Sequence, residues 1–274
     1  MKRNVVSLSS AETEFLSRMA ARGQRGFTVD EARRYWNDDP QTPKRLARLA
    51  EKGWLERLER GRYMIVPLEA GPDREWSEDA YILAGYLVDP AAVAYWSALH
   101  YWNLTEQVPR TAYVQTTAPL REHHKVVLGI RFRLVRLKEE KFFGLKRELA
   151  GAQPFQVTDP EKTLLDSLDR LDLAGGVHEA ARALRQGAGT LDWDRLDAYL
   201  KRLGSGAVAK RLGFLVEALD VSLPGRSSRL SRWQQLVTSG ISRLDPSSQR
   251  KDGRIVTRWG IRINVDEDAL GAAL

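Results

Sequence analysis

Residues 41–53 have the sequence Gln41-Thr42-Pro43-Lys44-Arg45-Leu46-Ala47-Arg48-Leu49-Ala50-Glu51-Lys52-Gly53. This segment predicts a helix in which Thr42 is the N-cap and Pro43 follows in the first turn, where its missing amide proton costs no hydrogen bond. Gly53 is the residue type that commonly follows a helix C-terminus. Because successive helical residues turn by about 100°, the two leucines share one face and the long cationic side chains share the other.

Two further helices and a hairpin are predicted around this segment. Ser9 or Ser10 can cap a first helix, and Thr28 with Glu31 forms a capping box at the start of a second. The aromatic and β-branched residues after the third helix flank a turn at Gly61, which is typical of a β-hairpin. Three helices followed by a hairpin is the order of a winged helix-turn-helix. In that fold the last helix enters the major groove of DNA and the hairpin, or wing, lies along the backbone.

The winged helix predicts a set of DNA contacts. The predicted DNA-binding residues are Gln41, Thr42, Lys44, Arg45, Arg48, Lys52, Arg60 and Arg62. We expect the cations of the third helix to meet base edges or flanking phosphates, and Gln41 to be able to read adenine. Arg60 and Arg62, at the tip of the wing, would bind the phosphate backbone.

The charge of the chain is concentrated at two basic ends. The 274 residues carry 43 Lys and Arg against 36 Asp and Glu, a formal net charge of +7. Residues 1–66 contribute +5, and residues 221–262 contribute +7 from nine cations and two acids, whereas the segment between them is nearly neutral. Because basic segments bind phosphate through counterion release, we expect residues 221–262 to add non-specific DNA affinity.

The composition also excludes several classes of protein. The chain has no cysteine, and therefore no disulfide, thiolate zinc site or cysteine nucleophile. Its longest apolar stretch, residues 80–99, is interrupted by Asp89 and Pro90, which predicts two buried helices at 78–88 and 91–100 in place of a membrane span. No secretion signal is recognisable, so we expect no membrane association and a cytoplasmic protein.

A domain boundary is predicted at Gly71-Pro72-Asp73, because these residue types form turns and the surrounding segment is poor in apolar residues. The sequence therefore predicts an α+β protein with a DNA-binding domain at residues 1–70 and a larger mixed α/β domain at residues 71–274. In the second domain, strands are predicted at 111–117, 125–137, 155–157, 255–257 and 261–265, and helices after Asp159 and at 176–187, 192–203 and 206–219.

Four aspartates raise the alternative of a metal-dependent, nucleic-acid-processing enzyme that uses the winged helix only for docking. They are Asp159, Asp166, Asp169 and Asp172. The last three follow one another at intervals of three residues, opposite a stripe of leucines, which is typical of a solvated helix face. We therefore predict no metal site, no cofactor and no catalytic residue. A further alternative is that the winged helix binds protein instead of DNA. In that case a steep decrease of DNA affinity with rising salt, which phosphate contacts produce, would be absent.

A distinctive block lies in the middle of the chain. It reads Val157-Thr158-Asp159-Pro160-Glu161-Lys162-Thr163-Leu164-Leu165-Asp166. Together with the segments 97–109 and 210–215, and with Gly53-Trp54-Leu55 near the N-terminus, it resembles the AbiEi family. These proteins are the antitoxins and transcriptional regulators of bacterial type IV toxin–antitoxin loci, which act in abortive infection, a phage defence. The motif residues, with a structural or antitoxin role, are Asp159, Pro160, Glu161, Lys162, Leu165 and Asp166.

The resemblance, which covers roughly residues 10–220, implies two functions and no enzymatic activity. The N-terminal domain would bind inverted repeats in its own promoter and repress the toxin–antitoxin operon. The C-terminal domain would support cooperative DNA binding, from a monomer in solution, and would carry the antitoxin activity. The usual toxin partner is a nucleotidyltransferase, which is neutralised without a stable complex. A stand-alone transcriptional regulator without a toxin is the alternative within the family.

Overall fold

The computed structural model describes residues 7–71, 76–266 and 270 of the chain. It has an α+β fold in which an N-terminal winged helix-turn-helix precedes a larger unit of mixed sheet and helices, as the sequence predicts. Within the described residues, no helix is both long enough and apolar enough to cross a membrane. Pro72 and Asp73 of the predicted domain boundary lie outside the described residues, and the division at residue 70 stays a prediction.

Between residues 7 and 71 the chain forms three helices and a small antiparallel sheet. The elements are α1 (Ser10–Ala21), β1 (Gly26–Thr28), α2 (Val29–Tyr35), α3 (Thr42–Glu51), β2 (Leu55–Glu59) and β3 (Arg62–Ile65). The strand order is β1-β3-β2, so the wing hairpin of β2 and β3 carries a third strand that the sequence did not predict.

The predicted capping box at Thr28 is present, and Ser9, one of the two predicted caps of the first helix, forms a second capping box with Glu12. The Ser9 hydroxyl accepts from the Glu12 amide, and the Glu12 carboxylate accepts from the Ser9 amide at 2.8 Å. Thr28 and Glu31 make the same reciprocal pair at the start of α2. These pairs satisfy amide groups that an isolated helix leaves without partners, and they set where each helix begins.

The core of the winged helix is aromatic and aliphatic. Phe15 of α1 packs edge-to-face on Phe27 of β1, with ring centroids 5.1 Å apart. Leu46 and Leu49 of α3 have no exposed surface and lie in the same cluster. The apolar face of α3 is thus buried, and its opposite face is turned to solvent.

The larger unit is centred on a six-stranded mixed sheet. Its elements in the described residues are α4 (Ala80–Leu87), β4 (Ala92–Val93), α5 (Tyr95–Tyr101), β5 (Thr111–Thr116), β6 (His124–Val127), β7 (Ile130–Arg136), β8 (Leu145–Ala150), β9 (Gln153–Thr158), α6 (Pro160–Asp169), α7 (Val177–Gly187), α8 (Trp193–Leu203), α9 (Gly206–Ala218), α10 (Arg226–Gln234), β10 (Ser242–Arg243), β11 (Ile255–Val256) and β12 (Ile261–Arg262). The main sheet has the order β6-β7-β5-β4-β9-β8, and a second, three-stranded sheet has the order β10-β12-β11. In the main sheet, β5 runs parallel to β7 and β4 to β9.

The predicted helix at 91–100 is partly wrong. Ala92 and Val93 form β4, a buried strand between β5 and β9, and only Tyr95–Tyr101 is helical. A short apolar run fits a buried strand as well as a buried helix, so periodicity alone does not separate the two. Strand β8 at the sheet edge was not predicted either, because its sequence mixes charged and apolar residues without a dominant pattern.

Residues 221–262 are an integral part of the helical half of the larger unit. They contain α10 and the second sheet, and neither the helix α10 nor the strand β10 was predicted. The Arg229 guanidinium is nearly buried and pairs with Asp194 at 2.6 Å and with Asp197, both on α8. Arg232 also pairs with Asp197, at 2.9 Å. Part of the positive charge in this segment is therefore neutralised inside the fold.

The winged helix packs against the larger unit through the back of its sheet. Leu58 and Met64, from the two wing strands, are buried in the same apolar cluster as Phe132 of β7. Arg25 forms an ion pair of 2.9 Å with the buried carboxylate of Glu78. These contacts join the two units in a shared apolar interface.

Candidate DNA-binding surface

The exposed face of α3 presents three long polar side chains to solvent. Gln41, Lys44 and Arg48 are all exposed, on the side opposite Leu46 and Leu49. Among the described residues, neither the Lys44 nor the Arg48 side chain has a salt-bridge or hydrogen-bond partner. Because the side chains of Lys44 and Arg48 have no internal partner, they are available to bind an external anion.

The prediction that Thr42 is the N-cap of α3 is wrong, and the Thr42 side chain is buried. Thr42 is the first residue of the helix, with Gln41 in the N-cap position, and it has no exposed surface. Its hydroxyl donates to the backbone carbonyl of Asp39 at 2.7 Å. The Asp39 carboxylate accepts from the amide of Gln41, the N-cap residue, at 2.8 Å, which orders the turn before α3.

Arg45 is engaged inside the winged helix. Its guanidinium pairs with the Asp39 carboxylate at 3.0 Å and lies 4.7 Å from the ring centroid of Trp36. The side chain is only half-exposed. Arg45 therefore fastens the turn between α2 and α3, and the sequence reasoning missed this role because Asp39 and Trp36 lie outside the helix.

Lys52 is also held internally, at the C-terminal end of α3. Its ammonium donates to the Glu12 carboxylate of α1 at 3.0 Å and to the backbone carbonyl of Ser7 at 3.1 Å. Burial opposes ionisation of Glu12, but the Ser9 amide and Lys52 together hold the pKa of Glu12 below its usual value. The carboxylate stays charged and anchors α3 to α1.

The wing tip carries one of the two predicted arginines. Arg60 is exposed in the turn between β2 and β3, and Gly61 supplies the left-handed conformation (φ 79°) that this turn requires. The amide of Val29 donates to the Gly61 carbonyl at 2.9 Å, which ties the tip to the start of α2. Arg57, which the sequence analysis left out, is exposed on β2 near this turn.

Arg62 does not lie at the tip as predicted. It is half-buried on β3, and its guanidinium donates to the backbone carbonyl of Tyr86 in α4 at 3.4 Å. Side chains alternate between the two faces of a strand, and the face that carries Arg62 is the one packed on the larger unit. Arg62 contributes to the contact between the units.

The Asp159–Asp166 motif forms the N-terminal half of α6. Asp159 is the N-cap, where it accepts from the Lys162 amide and from the Tyr199 hydroxyl, each at 2.8 Å. Pro160 is the first helical residue, as predicted. Glu161 is buried and accepts from the Asp192 amide at 2.7 Å, at the start of α8. The motif thus fastens α6 to α8.

Asp166 is buried, which corrects the prediction of a solvated face. Its carboxylate forms an ion pair with Lys162 and accepts from the Gln115 side chain of β5 at 2.7 Å. Burial raises the pKa of Asp166, and the Lys162 ammonium opposes that rise. Lys162 itself has no exposed surface, and Leu165 is fully buried in the helical core. Helix α6 lies between the sheet and other helices, so its polar face meets protein instead of water.

The four aspartates of the nuclease alternative do not converge. Asp159 caps α6, Asp166 pairs with Lys162, and the other two have separate partners. Asp169 pairs with Lys141 at 3.5 Å, and Asp172 makes a bidentate pair with Arg170 at 2.7 and 2.8 Å. Throughout the described residues, no three His, Asp or Glu side chains are grouped so that they could hold a metal ion.

Comparison with known proteins supports the N-terminal assignment. The crystal structure of the RV2827C protein from Mycobacterium tuberculosis superposes with a TM-score of 0.64 at 14% identity, covering 96% of this chain and 94% of that one, which is a likeness of fold alone. No curated protein sequence matches the chain. Residues 14–66 match the family described as "Transcriptional regulator, AbiEi antitoxin", and this segment holds α3 and the wing. The predicted AbiEi resemblance is therefore confirmed for residues 14–66, the segment that matches this family of transcriptional regulators.

Proposed function

We propose that the chain is a sequence-specific DNA-binding repressor that regulates its own toxin–antitoxin operon. The observation that carries the proposal is the exposed face of α3, where the side chains of Gln41, Lys44 and Arg48 have no partner among the described residues, on a helix whose other face is buried. Ordered cations on a helix of a winged helix-turn-helix match the major groove in shape and charge.

The chemistry of these side chains assigns each a role. Arg48 and Lys44 can bind the acceptor atoms of guanine or a flanking phosphate, and Gln41 can make two hydrogen bonds to adenine. Arg60 at the wing tip binds backbone phosphate, which positions the protein without reading sequence. Thr42, Arg45, Lys52 and Arg62 support this surface from within. On inverted repeats, two copies would place their α3 helices about 34 Å apart.

Binding to duplex DNA from immediately upstream of the gene that encodes the chain tests this proposal. A shuffled duplex of the same composition is the control, and each is titrated at several salt concentrations. We expect tighter binding to the upstream duplex, with an affinity that falls steeply as salt rises. Equal affinity for both duplexes would contradict sequence-specific repression, and salt-independent binding would favour the protein-interaction alternative.

The antitoxin activity is proposed for the larger unit, and no enzymatic activity is proposed. The family matched by residues 14–66 is described as an antitoxin, and the resemblance of residues 157–166 implies that the larger unit carries this activity. The toxin would be a nucleotidyltransferase that is neutralised without a stable complex. Co-expression from an independent promoter with the neighbouring toxin gene tests it. We expect Arg48→Glu to preserve growth and Leu165→Asp to abolish it, because an unpaired charge in the core disrupts the larger unit. Repression of the promoter without rescue of growth would favour a stand-alone transcriptional regulator. Magnesium-dependent cleavage of DNA would favour the nucleic-acid-processing enzyme.

A further inference from the structure

The last residue of strand β2 is held by the larger unit. The Lys125 ammonium, on the edge strand β6, lies 2.6 Å from a carboxylate oxygen of Glu59, which directly precedes the exposed Arg60. The Lys125 and Glu59 side chains are 15% and 35% exposed, so the pair is partly shielded from water. A residue outside the winged helix thus contacts the base of the wing tip.

A β-bulge brings the wing into this contact. In the β2–β3 ladder Arg57 pairs with Tyr63 and Glu59 pairs with Arg62, so Leu58 is an extra residue without a partner strand position. Bulges of this kind redirect side chains and increase the local twist. Here the Leu58 side chain is buried in the apolar cluster of the larger unit, and Glu59 is placed beside Lys125.

We infer that Lys125 is a positioning residue for DNA binding, which acts through Glu59 to hold Arg60 in place at the wing tip. The inference rests on the proposed function. Leu58 anchors the bulge, Lys125 fixes the residue that follows it, and Arg62 fixes the opposite strand through the Tyr86 carbonyl. The larger unit would therefore set the geometry of the wing through contacts within the protein.

The variants Glu59→Gln and Lys125→Met test this inference, because a positioning role and simple charge repulsion predict opposite effects of Glu59→Gln on DNA affinity. Removal of an acid beside bound DNA ordinarily strengthens binding, since the acid repels phosphate. If Glu59 instead serves as the link to Arg60, Glu59→Gln must weaken binding, and by as much as Lys125→Met does. We expect each variant to bind the upstream duplex about two- to fivefold more weakly, as the strength of a partly exposed ion pair allows.

The Arg60→Ala background shows whether the effect passes through the wing tip. We expect Lys125→Met to cause no further loss there, because the side chain it positions is gone. Lys201→Met, which removes an exposed lysine of α8, is the matched control for the lost charge, and urea unfolding of each variant confirms an intact fold. The inference would be overturned, with the proposed function left standing, if Glu59→Gln bound DNA as tightly as wild type or more tightly. It would also be overturned if Lys125→Met lowered the DNA affinity as much in the Arg60→Ala background as in wild type. Failure of the wild-type chain to bind DNA would overturn the proposed function and this inference with it.

Discussion

The Lys162 ammonium and the Asp166 carboxylate form a buried ion pair one turn apart on α6. Both side chains belong to the motif that resembles AbiEi proteins, and both are closed to a partner protein. Their surroundings are the sheet, through Gln115, and the ring of Phe143, whose centroid lies 4.8 Å from the ammonium. The motif therefore acts in this chain as the joint between helix α6 and the sheet.

Loss of one member of this pair should destabilise the larger unit. Lys162→Met leaves a buried carboxylate without its counter-ion, and such changes cost about 3–5 kcal/mol. We expect the double variant Lys162→Met/Asp166→Leu to lose less than Lys162→Met alone, because it removes both charges. Urea unfolding at neutral pH measures the free energy of unfolding of both variants. A double variant less stable than the single one would show that the pair is not coupled as its geometry indicates.

The contact between Gly213 and Trp259 predicts a second stability effect. A methyl group added at Gly213 of α9 would stand 2.3 Å from the Trp259 ring, which has no exposed surface. We expect Gly213→Ala to destabilise the chain by about 1–3 kcal/mol through overpacking. Gly85→Ala in α4 is the control, since the space around Gly85 is open and alanine favours a helix by about 0.5–1 kcal/mol. Equal unfolding midpoints for the two variants would contradict the packing of the C-terminal sheet on α9.

Thr42 should affect stability and not DNA affinity. Thr42→Val removes the hydroxyl that donates to the Asp39 carbonyl, and the loss of one such hydrogen bond costs about 1 kcal/mol. Because the side chain is buried, we expect the affinity for the upstream duplex to stay within about twofold of wild type. Fluorescence anisotropy and urea unfolding of the same preparation separate the two effects. A large loss of affinity in a variant of wild-type stability would return Thr42 to the DNA-binding surface.

Glu12 predicts a dependence of stability on acid pH. Its pKa is lower in the folded chain than its ordinary value of 4.5, so the ionised carboxylate stabilises the fold above that value. This contribution is lost as pH falls through the lowered pKa, because the unfolded chain then binds the proton more readily. We expect wild type to exceed Glu12→Gln in free energy of unfolding at pH 7, and the difference to shrink in acid. A difference that stays constant with pH would exclude Glu12 as its source.

Local patterns were the part of the fold that the sequence could predict. The cap at Ser9, the capping box at Thr28 and the amphipathic helix α3 depend on residues a few positions apart, and the structure confirms them. Helical spacing predicts a solvated position for Asp166, because it separates polar from apolar residues but does not show what packs on the polar side. A helix that lies between a sheet and other helices buries its polar face as well as its apolar face.

The candidate site was predictable to the same extent. Lys44 and Arg48 follow from the periodicity of α3, whereas Lys52 is engaged by Glu12, forty residues earlier in the chain. The direction of Arg62 depends on strand register, and the position of Glu59 depends on the bulge at Leu58. Such contacts between distant segments leave no periodic signal, and only the assembled sheet shows them.

The affinity of Arg48→Glu for the upstream duplex tests the central claim most directly. Arg48 is exposed and opposite the buried leucines, so the substitution leaves the core intact and places a carboxylate against the acceptors of DNA. We expect at least about a tenfold loss of affinity relative to wild type, since one good base contact is worth about 1–3 kcal/mol. Lys201→Glu, an equal change of charge on the exposed surface of α8, should bind within about twofold of wild type. Equal binding by Arg48→Glu and wild type, or equal losses in both variants, would contradict recognition of DNA by α3.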